Sequence, residues 1–178
     1  QNQRRKLFFH NYLFMSNIVM IPAYKPDQRL VSLVKELSKY EQLNILVINN
    51  GNRIEYLNYF DVISTLKKVS VLNIKKNQGK GFGIKAGLRH INLNFKNIQN
   101  IIFADADGQH LPSDIMNIAL EMQKYDDKNL LLVGNRKHNN LTPLKNLFAN
   151  KLFNFFFKKK LKININDSLC GLRAIKIG

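Results

Sequence analysis

Short apolar runs alternate with segments of helical periodicity along most of the chain. Five of the runs have the length and apolar character of buried strands, and they lie at residues 18–21, 45–48, 69–72, 100–104 and 130–133. The clearest helix is predicted to begin after Asp27, a favoured N-cap residue. Its apolar face is predicted to comprise Leu30, Val31, Leu33, Val34 and Leu37. Strands that alternate with helices predict an α/β layer fold with a mostly parallel central sheet.

Further helices are predicted at residues 54–67, from the glycine-rich segment at residues 77–83 to about residue 91, and from Pro112 onward. Polar residues follow the predicted strands, for example the turn formers at residues 49–52. In parallel sheets, ligands bind outside the carboxyl ends of the strands. The sequence therefore predicts a binding site built from the segments that follow the strands.

Chain length and composition indicate one globular domain. The 178 residues are 45% hydrophobic and 22% charged, which excludes a disordered or low-complexity chain. We expect residues 1–16 to be an N-terminal extension and residues 17–178 to form the folded domain. The lone cysteine, Cys170, cannot form an intramolecular disulfide and favours a reducing, cytoplasmic compartment. The longest apolar stretches fall short of the roughly 20 residues of a membrane-spanning helix.

A strong excess of positive charge narrows the range of partners. Lys and Arg number 28 against 12 Asp and Glu, a formal net charge of +16, which favours phosphates, anionic lipids or nucleic acid. Residues 145–162 join Phe and Leu to a lysine cluster, a composition typical of an interfacial helix on an anionic membrane surface. A core-packing helix with a solvated basic end fits the same pattern. A nucleic-acid-binding module is less favoured because the chain has no recognisable nucleic-acid motif.

Asp105 and Asp107 are the main candidates for a chemical site. They stand two residues apart at the end of a predicted strand, so both side chains can converge on one hard divalent cation. Gln109 adds a third oxygen at the same spacing. A lone Asp-x-Asp is more often a turn former. The pattern alone leaves both interpretations open.

The glycine-rich segment at residues 77–83 is a candidate phosphate site. Its backbone N–H groups and the positive end of the following helix favour an anion, and Lys80 adds charge. The segment lacks the Gly-Lys-Ser/Thr ending of a P-loop and the glycine spacing of a dinucleotide-binding motif. A flexible loop with glycines at its turns is the alternative interpretation.

Taken together, six segments resemble the family 2 glycosyltransferases of the GT-A fold. In chain order they are residues 18–26, 45–52, 77–87, 103–112, 134–136 and 167–174. The likeness is strongest to the polyprenyl-phosphate sugar transferases, the group of dolichyl-phosphate mannosyltransferase and bactoprenol glucosyltransferase. The resemblance implies an α/β GT-A fold of three layers. It also implies that residues 17–178 form a glycosyltransferase catalytic domain, which we expect to be truncated at its C-terminus.

The resemblance implies roles for individual residues. The nucleotide-sugar donor is expected to contact Pro22, Ala23, Tyr24, Asn50, Lys80 and Asp105. A Mg²⁺ or Mn²⁺ cofactor is expected on Asp105, Asp107 and Gln109. Catalytic roles are expected for Asp105, Asp107, Arg136 and Asp167. One departure concerns Asn50, because the family usually has Asp-Asp-Gly-Ser where this chain has Asn-Asn-Gly-Asn, so an amide replaces the carboxylate expected to touch the base.

The implied reaction is an inverting, metal-dependent sugar transfer from a nucleotide sugar, expected to be UDP-linked, to a polyprenyl phosphate at the cytosolic membrane face. A phosphate monoester with a second pKa of ~6 is already anionic at neutral pH, so such an acceptor needs no strong general base. Asp167 is the remaining later acid, and it serves either catalysis or loop positioning. The rival acceptor is a saccharide hydroxyl, as in surface polysaccharide synthesis.

Overall fold

The computed structural model describes residues 16–127, 129–135, 159, 167 and 170–177. Within these ranges one six-stranded sheet has the order β3-β2-β1-β4-β6-β5. Its strands are β1 (Ser16–Ala23), β2 (Leu43–Asn50), β3 (Val69–Ile74), β4 (Ile98–Phe103), β5 (Leu131–Val133) and β6 (Arg173–Lys176). β1 pairs in parallel with β2 and β4, and β2 pairs in parallel with β3. β6 pairs antiparallel with β4 and β5, so the predicted mostly parallel sheet is confirmed.

Four α-helices connect the described strands. They are α1 (Gln28–Leu37), α2 (Leu57–Ser64), α3 (Lys80–Asn94) and α4 (Pro112–Met122). Asp27 caps α1 as predicted, since its carboxylate accepts from the Arg29 backbone N–H at 2.9 Å. All five predicted apolar residues of α1 are buried. The predicted helix at residues 54–67 is shorter than expected, because it opens with a 3₁₀ turn (Ile54–Tyr56) and the α-helix ends at Ser64. The chain then turns towards β3, and Lys68 in that turn has a left-handed φ of 61°.

The helices cover the sheet on both faces and create two cores. Successive residues of a strand face opposite sides of the sheet. β1 accordingly contributes Val19 and Ile21 to a core beneath α1, α2 and α4, and Ile18 and Met20 to a core beneath α3. The three-layer α/β architecture is therefore confirmed.

β1 extends through Pro22 and is longer than the strand predicted at residues 18–21. The Met20 carbonyl accepts from the Ala104 backbone N–H at 3.1 Å, so the backbone polar groups of Met20 point towards β4. Pro22 is two residues further along the strand, so its backbone nitrogen points towards β4 as well. β4 ends at Phe103, and no ladder hydrogen bond is required of Pro22 on that side. β1 can therefore continue to Ala23 in register with β2.

β6 is a strand that the periodicity did not predict. It spans four residues, and Phe103 of β4 pairs with Arg173 at its start. Because β6 runs antiparallel, its beginning lies at the edge where the parallel strands end. The segment before β6 thus joins the loops that follow β1, β2 and β4. None of the described helices is both long and apolar enough to span a membrane.

Candidate functional site

A cleft of about 390 Å³ opens at the carboxyl ends of β1, β2 and β4, and we call it the strand-end cleft. Four of the six segments that carry the family resemblance contribute to it, namely residues 18–26, 45–52, 77–87 and 103–112. The predicted residues that line it are Pro22, Tyr24, Asn50, Lys80, Asp105 and Asp107. The cleft therefore unites acids, a cation, an amide and an aromatic ring from loops far apart in sequence.

Asp105 is the electrostatic centre of this cleft. Lys80 Nζ forms an ion pair with Asp105 Oδ1, and His110 Nε2 lies 3.7 Å from Asp105 Oδ2. His110 and then Lys80 hold the pKa of Asp105 well below its usual range, although partial burial of the carboxyl group acts in the opposite direction. Asp105 is therefore ionised at neutral pH. The stabilisation from these contacts is present above the ordinary carboxyl pKa and is lost only as the pH falls towards the depressed folded-state value.

Asp107 and Gln109 lie in the turn that follows. Asp107 Oδ1 accepts from the Gln109 backbone N–H at 3.1 Å, and Gly108 between them has a φ of 75°. Asp107 lines the strand-end cleft, whereas the exposed Gln109 does not. Asp107 therefore lies in a turn and also at the strand-end cleft. The turn-former interpretation and the metal-site interpretation of the Asp-x-Asp motif are thus compatible.

The oxygen donors fit a hard divalent cation. Asp105 and Asp107 supply carboxylates at one wall, the donor type that Mg²⁺ and Mn²⁺ prefer. Among the described residues, no cluster of three or more His, Cys, Asp or Glu side chains forms a complete metal cage. A cation here would thus take further oxygen ligands from water or from a phosphorylated ligand.

The opposite wall is the N-terminal end of α3. Gly79 is the N-cap with a φ of 92°, and none of the described side chains caps the helix there. Gly79 and Lys80 line the strand-end cleft, so the N-terminal end of α3, where helix N–H groups lack intrahelical partners, adjoins the cleft together with the Lys80 ammonium. This combination favours a ligand that carries both negative charge and a bound cation.

Asn50 ends β2 inside the cleft and is only 3% exposed. Its Nδ2 donates to Gly79 O at 3.2 Å and to Asn77 Oδ1 at 3.3 Å. Its Oδ1 is buried and has no hydrogen-bond partner among the described residues. The neighbouring Gly51 has a φ of 70° and packs so tightly on Lys76 and Asn77 that a Cβ atom would overlap their backbone.

A second opening, the side cleft, adjoins the first beyond Lys80. Its volume is about 530 Å³, and it shares Pro22, Lys80 and Asp105 with the strand-end cleft. Its remaining walls are mostly apolar, with one arginine; they include Ile84, Phe103, Leu131, Arg173 and Ile175. The Arg173 side chain is partly fixed, because its Nε donates to Cys170 O at 2.8 Å.

Two predicted residues are buried and line neither cleft. Ala23 is fully buried, and its carbonyl accepts from Asn52 Nδ2 at 2.9 Å, so it shapes the loop and does not line either cleft. Asp167 is 1% exposed, and its backbone carbonyl accepts from Cys170 N–H at 3.3 Å. Arg136 lies outside the described residues.

Gly171 is a site residue that was not predicted from the sequence. A Cβ atom there would overlap Asp105 Oδ2 and would lie 2.9 Å from Asp105 Cγ and 3.1 Å from His110 Nε2. Only a glycine lets this backbone approach the acid so closely. The available signal was that Gly171 belongs to one of the segments that resemble the family, residues 167–174. The contact with Asp105 spans 66 positions of the sequence, so no local pattern predicts it.

Curated proteins similar to this chain include two lipid-phosphate transferases. The undecaprenyl-phosphate 4-deoxy-4-formamido-L-arabinose transferase of Shewanella sediminis is 25% identical over 166 residues, which cover 89% of this chain and 47% of that protein. The dolichyl-phosphate beta-glucosyltransferase of Drosophila melanogaster is 28% identical over 178 aligned positions, which cover 87% of this chain and 52% of that protein. The chain thus spans about half the length of these two relatives.

A solved structure shares the fold at low sequence identity. The glucosyl-3-phosphoglycerate synthase of Mycobacterium tuberculosis, in complex with Mn²⁺, UDP and glucosyl-3-phosphoglycerate, superposes with a TM-score of 0.69 and 12% identity. The match covers 95% of this chain and 59% of that one. The GT-A fold implied by the sequence is therefore confirmed. Residues 18–177 match the glycosyl transferase family 2 profile, and the chain belongs to that family.

Proposed function

We propose that the protein is an inverting, metal-dependent glycosyltransferase that moves a sugar from a UDP-sugar to a polyprenyl phosphate. The observation that carries the proposal is the strand-end cleft, where Asp105 and Asp107 face Lys80 and the N-terminal end of α3. A nucleoside diphosphate with a divalent cation has the complementary charges. Support comes from the family, and from relatives whose names specify undecaprenyl or dolichyl phosphate as the acceptor.

In this proposal the chain binds the donor along the wall of the strand-end cleft. Pro22 and the half-exposed Tyr24 adjoin the nucleoside, and Lys80 with the α3 amides contacts the diphosphate. Asp105 and Asp107 would hold Mg²⁺ or Mn²⁺, and the bound cation would stabilise the charge that develops on the departing diphosphate. Lys80 adds to this stabilisation when it turns from Asp105 towards the phosphate.

We place the acceptor in the side cleft. This cleft meets the strand-end cleft at Asp105 and Lys80, so a group held there would lie next to the sugar of the donor. Arg173 and Lys80 attract a phosphate, and the apolar walls suit the first isoprene units of a polyprenyl chain. The anionic phosphate oxygen is the nucleophile and needs no proton removed at neutral pH. Asp167 then serves to hold the segment before Gly171 and Arg173.

Calorimetry with UDP-, GDP- and CDP-sugars, each with and without Mn²⁺, tests the donor assignment. We expect Mn²⁺-dependent binding with UDP-sugars preferred. Transfer of a radiolabelled sugar to short-chain polyprenyl phosphate, compared with transfer to oligosaccharides, tests the acceptor. Absence of nucleotide-sugar binding would overturn the proposed function, whereas transfer to the oligosaccharide alone would replace the lipid acceptor with a saccharide hydroxyl.

The lipid acceptor requires access to a membrane, and we propose that residues 145–162 provide it at the cytosolic face. This segment lies outside the described residues apart from Lys159, which is exposed. Each lysine near an anionic leaflet contributes about 1 kcal/mol, so replacing Lys158, Lys159 and Lys160 with Gln should weaken vesicle binding by roughly two orders of magnitude. Co-sedimentation with phosphatidylserine-containing liposomes at low salt measures this.

The matched control removes the same charge elsewhere. Lys67, Lys75 and Lys96 are exposed and belong to other segments of the chain, and their triple replacement by Gln should leave most vesicle binding intact. An equal loss in both triple variants would show that net charge, and not this segment, drives membrane attachment. If the wild-type protein does not co-sediment with anionic liposomes, the proposed membrane attachment is wrong.

A further inference from the structure

The asparagines at the end of β2 form two separate hydrogen-bond networks. Asn49 Oδ1 accepts from the backbone N–H and the Nδ2 of Asn52, while Asn49 Nδ2 donates to Asn73 Oδ1 at 2.9 Å. Asn50 points to the other side of β2, towards the loop that leads into α3. Both side chains are almost fully buried, with 4% and 3% exposure. Adjacent residues of one strand thus hold different loops.

The contacts of Asn50 require an amide donor. Gly79 O is a backbone carbonyl and can only accept, and it also receives the Gly83 backbone N–H at 3.3 Å. Asn77 Oδ1 is fixed as an acceptor because the Gly79 backbone N–H donates to it at 2.8 Å. Within the part of the chain that the structure describes, a carboxylate at position 50 would therefore face two acceptors and no donor. An amide fits this pair of contacts, and an ionised acid does not.

We propose that Asn50 is a positioning residue, which acts through the loop at residues 77–79 and sets the place of Lys80 in the strand-end cleft. Gly79, which Asn50 holds, directly precedes Lys80, and Lys80 pairs with Asp105 across the cleft. Gly51 supports the same loop from below by its close packing on Asn77. This inference rests on the proposed donor site, and it assigns to the amide a task other than direct contact with the nucleotide base.

The substitution Asn50→Asp tests whether position 50 needs a hydrogen-bond donor, and Asn49→Asp is the matched control. Both place a carboxyl group at a nearly buried position of β2. At position 49 the exposed Asn73 amide can turn and present its Nδ2, and the bonds from Asn52 remain. At position 50 the Gly79 carbonyl cannot become a donor. The Asn77 amide could present its Nδ2 only by losing the hydrogen bond that its Oδ1 accepts from the Gly79 backbone N–H. We expect UDP affinity with Mn²⁺ at pH 8 to fall roughly tenfold or more in Asn50→Asp and to change little in Asn49→Asp.

A series of affinity measurements at different pH values separates an effect on loop position from general destabilisation of the fold. A protonated carboxyl group regains one donor, so the affinity ratio of wild type to Asn50→Asp should narrow between pH 8 and pH 5.5. Asn50→Ala, which cannot regain a donor, should show a constant ratio. The other titratable groups along the cleft are unchanged in all variants and cancel in the ratio; they are Tyr24, Lys25, Asp27, Arg29, Lys80, Asp105 and Asp107.

Amide hydrogen exchange gives a measurement that does not depend on nucleotide binding. Loss of the Asn50 contacts should speed exchange at Gly79 and Gly83, whose N–H groups belong to the same network, in Asn50→Asp and Asn50→Ala but not in Asn49→Asp. Unchanged exchange at these amides in both Asn50 variants would overturn the inference. If the Gly79 and Gly83 amides of the wild-type protein exchange slowly but the protein binds no UDP, the proposed function is overturned, whereas the role of Asn50 in holding the loop at residues 77–79 is retained.

Discussion

Replacement of Asp107 by Ala should remove the Mn²⁺-dependent part of nucleotide binding. Asp107 lines the strand-end cleft beside Asp105, and its carboxylate is one of two in the proposed cation site. Loss of an outer-shell partner of a bound metal already costs about 10–100-fold in metal affinity, so loss of a direct ligand should cost at least ~100-fold. Calorimetry with UDP in the presence and absence of Mn²⁺ measures the effect.

The fold should tolerate this change. Asp107 is half-buried in a turn, and the bond from the Gln109 backbone N–H is its one hydrogen bond among the described residues. Asp107→Asn keeps an oxygen for that bond while it removes the charge, and it should lose Mn²⁺ dependence as well. Asp126→Ala removes an acid whose side chain is 93% exposed away from the cleft, and it should bind like wild type. Equal Mn²⁺-dependent affinity in Asp107→Ala and wild type would refute the metal assignment.

The sequence predicted those elements whose burial follows a simple period. α1 has five apolar residues at helical spacing, and all are buried; the apolar runs of β1 to β4 all lie in the sheet. β6 was missed because four residues with one fully buried side chain, Ala174, carry too little periodicity. Asn49 and Asn50 were expected in a turn because of their type, yet they pair with Asn73 and Ile74 in the ladder. Groups on other segments accept from the Nδ2 of each amide there, and local propensity does not register such contacts.

The candidate site was predictable in its residue types and less so in its contacts. Strand ends in a parallel sheet meet at one edge, so the convergence of Pro22, Tyr24, Lys80, Asp105 and Asp107 followed from topology. The anchoring role of the Asn50 amide depends on the carbonyl of Gly79, which is 29 residues away. Ala23 was expected at the nucleotide and is instead buried and does not line the cleft, because successive residues of an extended strand face opposite ways.

Gly171→Ala should disable the site through a single methyl group. The added Cβ would overlap Asp105 Oδ2 and would crowd His110 Nε2 at 3.1 Å, so either the Asp105 carboxylate or the segment before β6 must move. Overpacking of this kind costs about 1–3 kcal/mol of stability. If Asp105 moves, it loses its contacts with Lys80 and His110, and we expect Mn²⁺-dependent UDP binding to fall by at least about tenfold, the scale of one lost charged contact.

Gly134→Ala is the control that separates local displacement from general destabilisation. A Cβ at Gly134 would lie 3.1 Å from Cys170 Sγ and 3.2 Å from Leu172 O, so it strains the same segment without contact to Asp105. Both variants should unfold at lower denaturant concentration than wild type, and Gly171→Ala alone should lose nucleotide affinity. Gly171→Ala protein with wild-type affinity would mean that Asp105 can shift without loss of the site. Equal affinity losses in the two variants would trace the effect to the strained segment and not to Asp105.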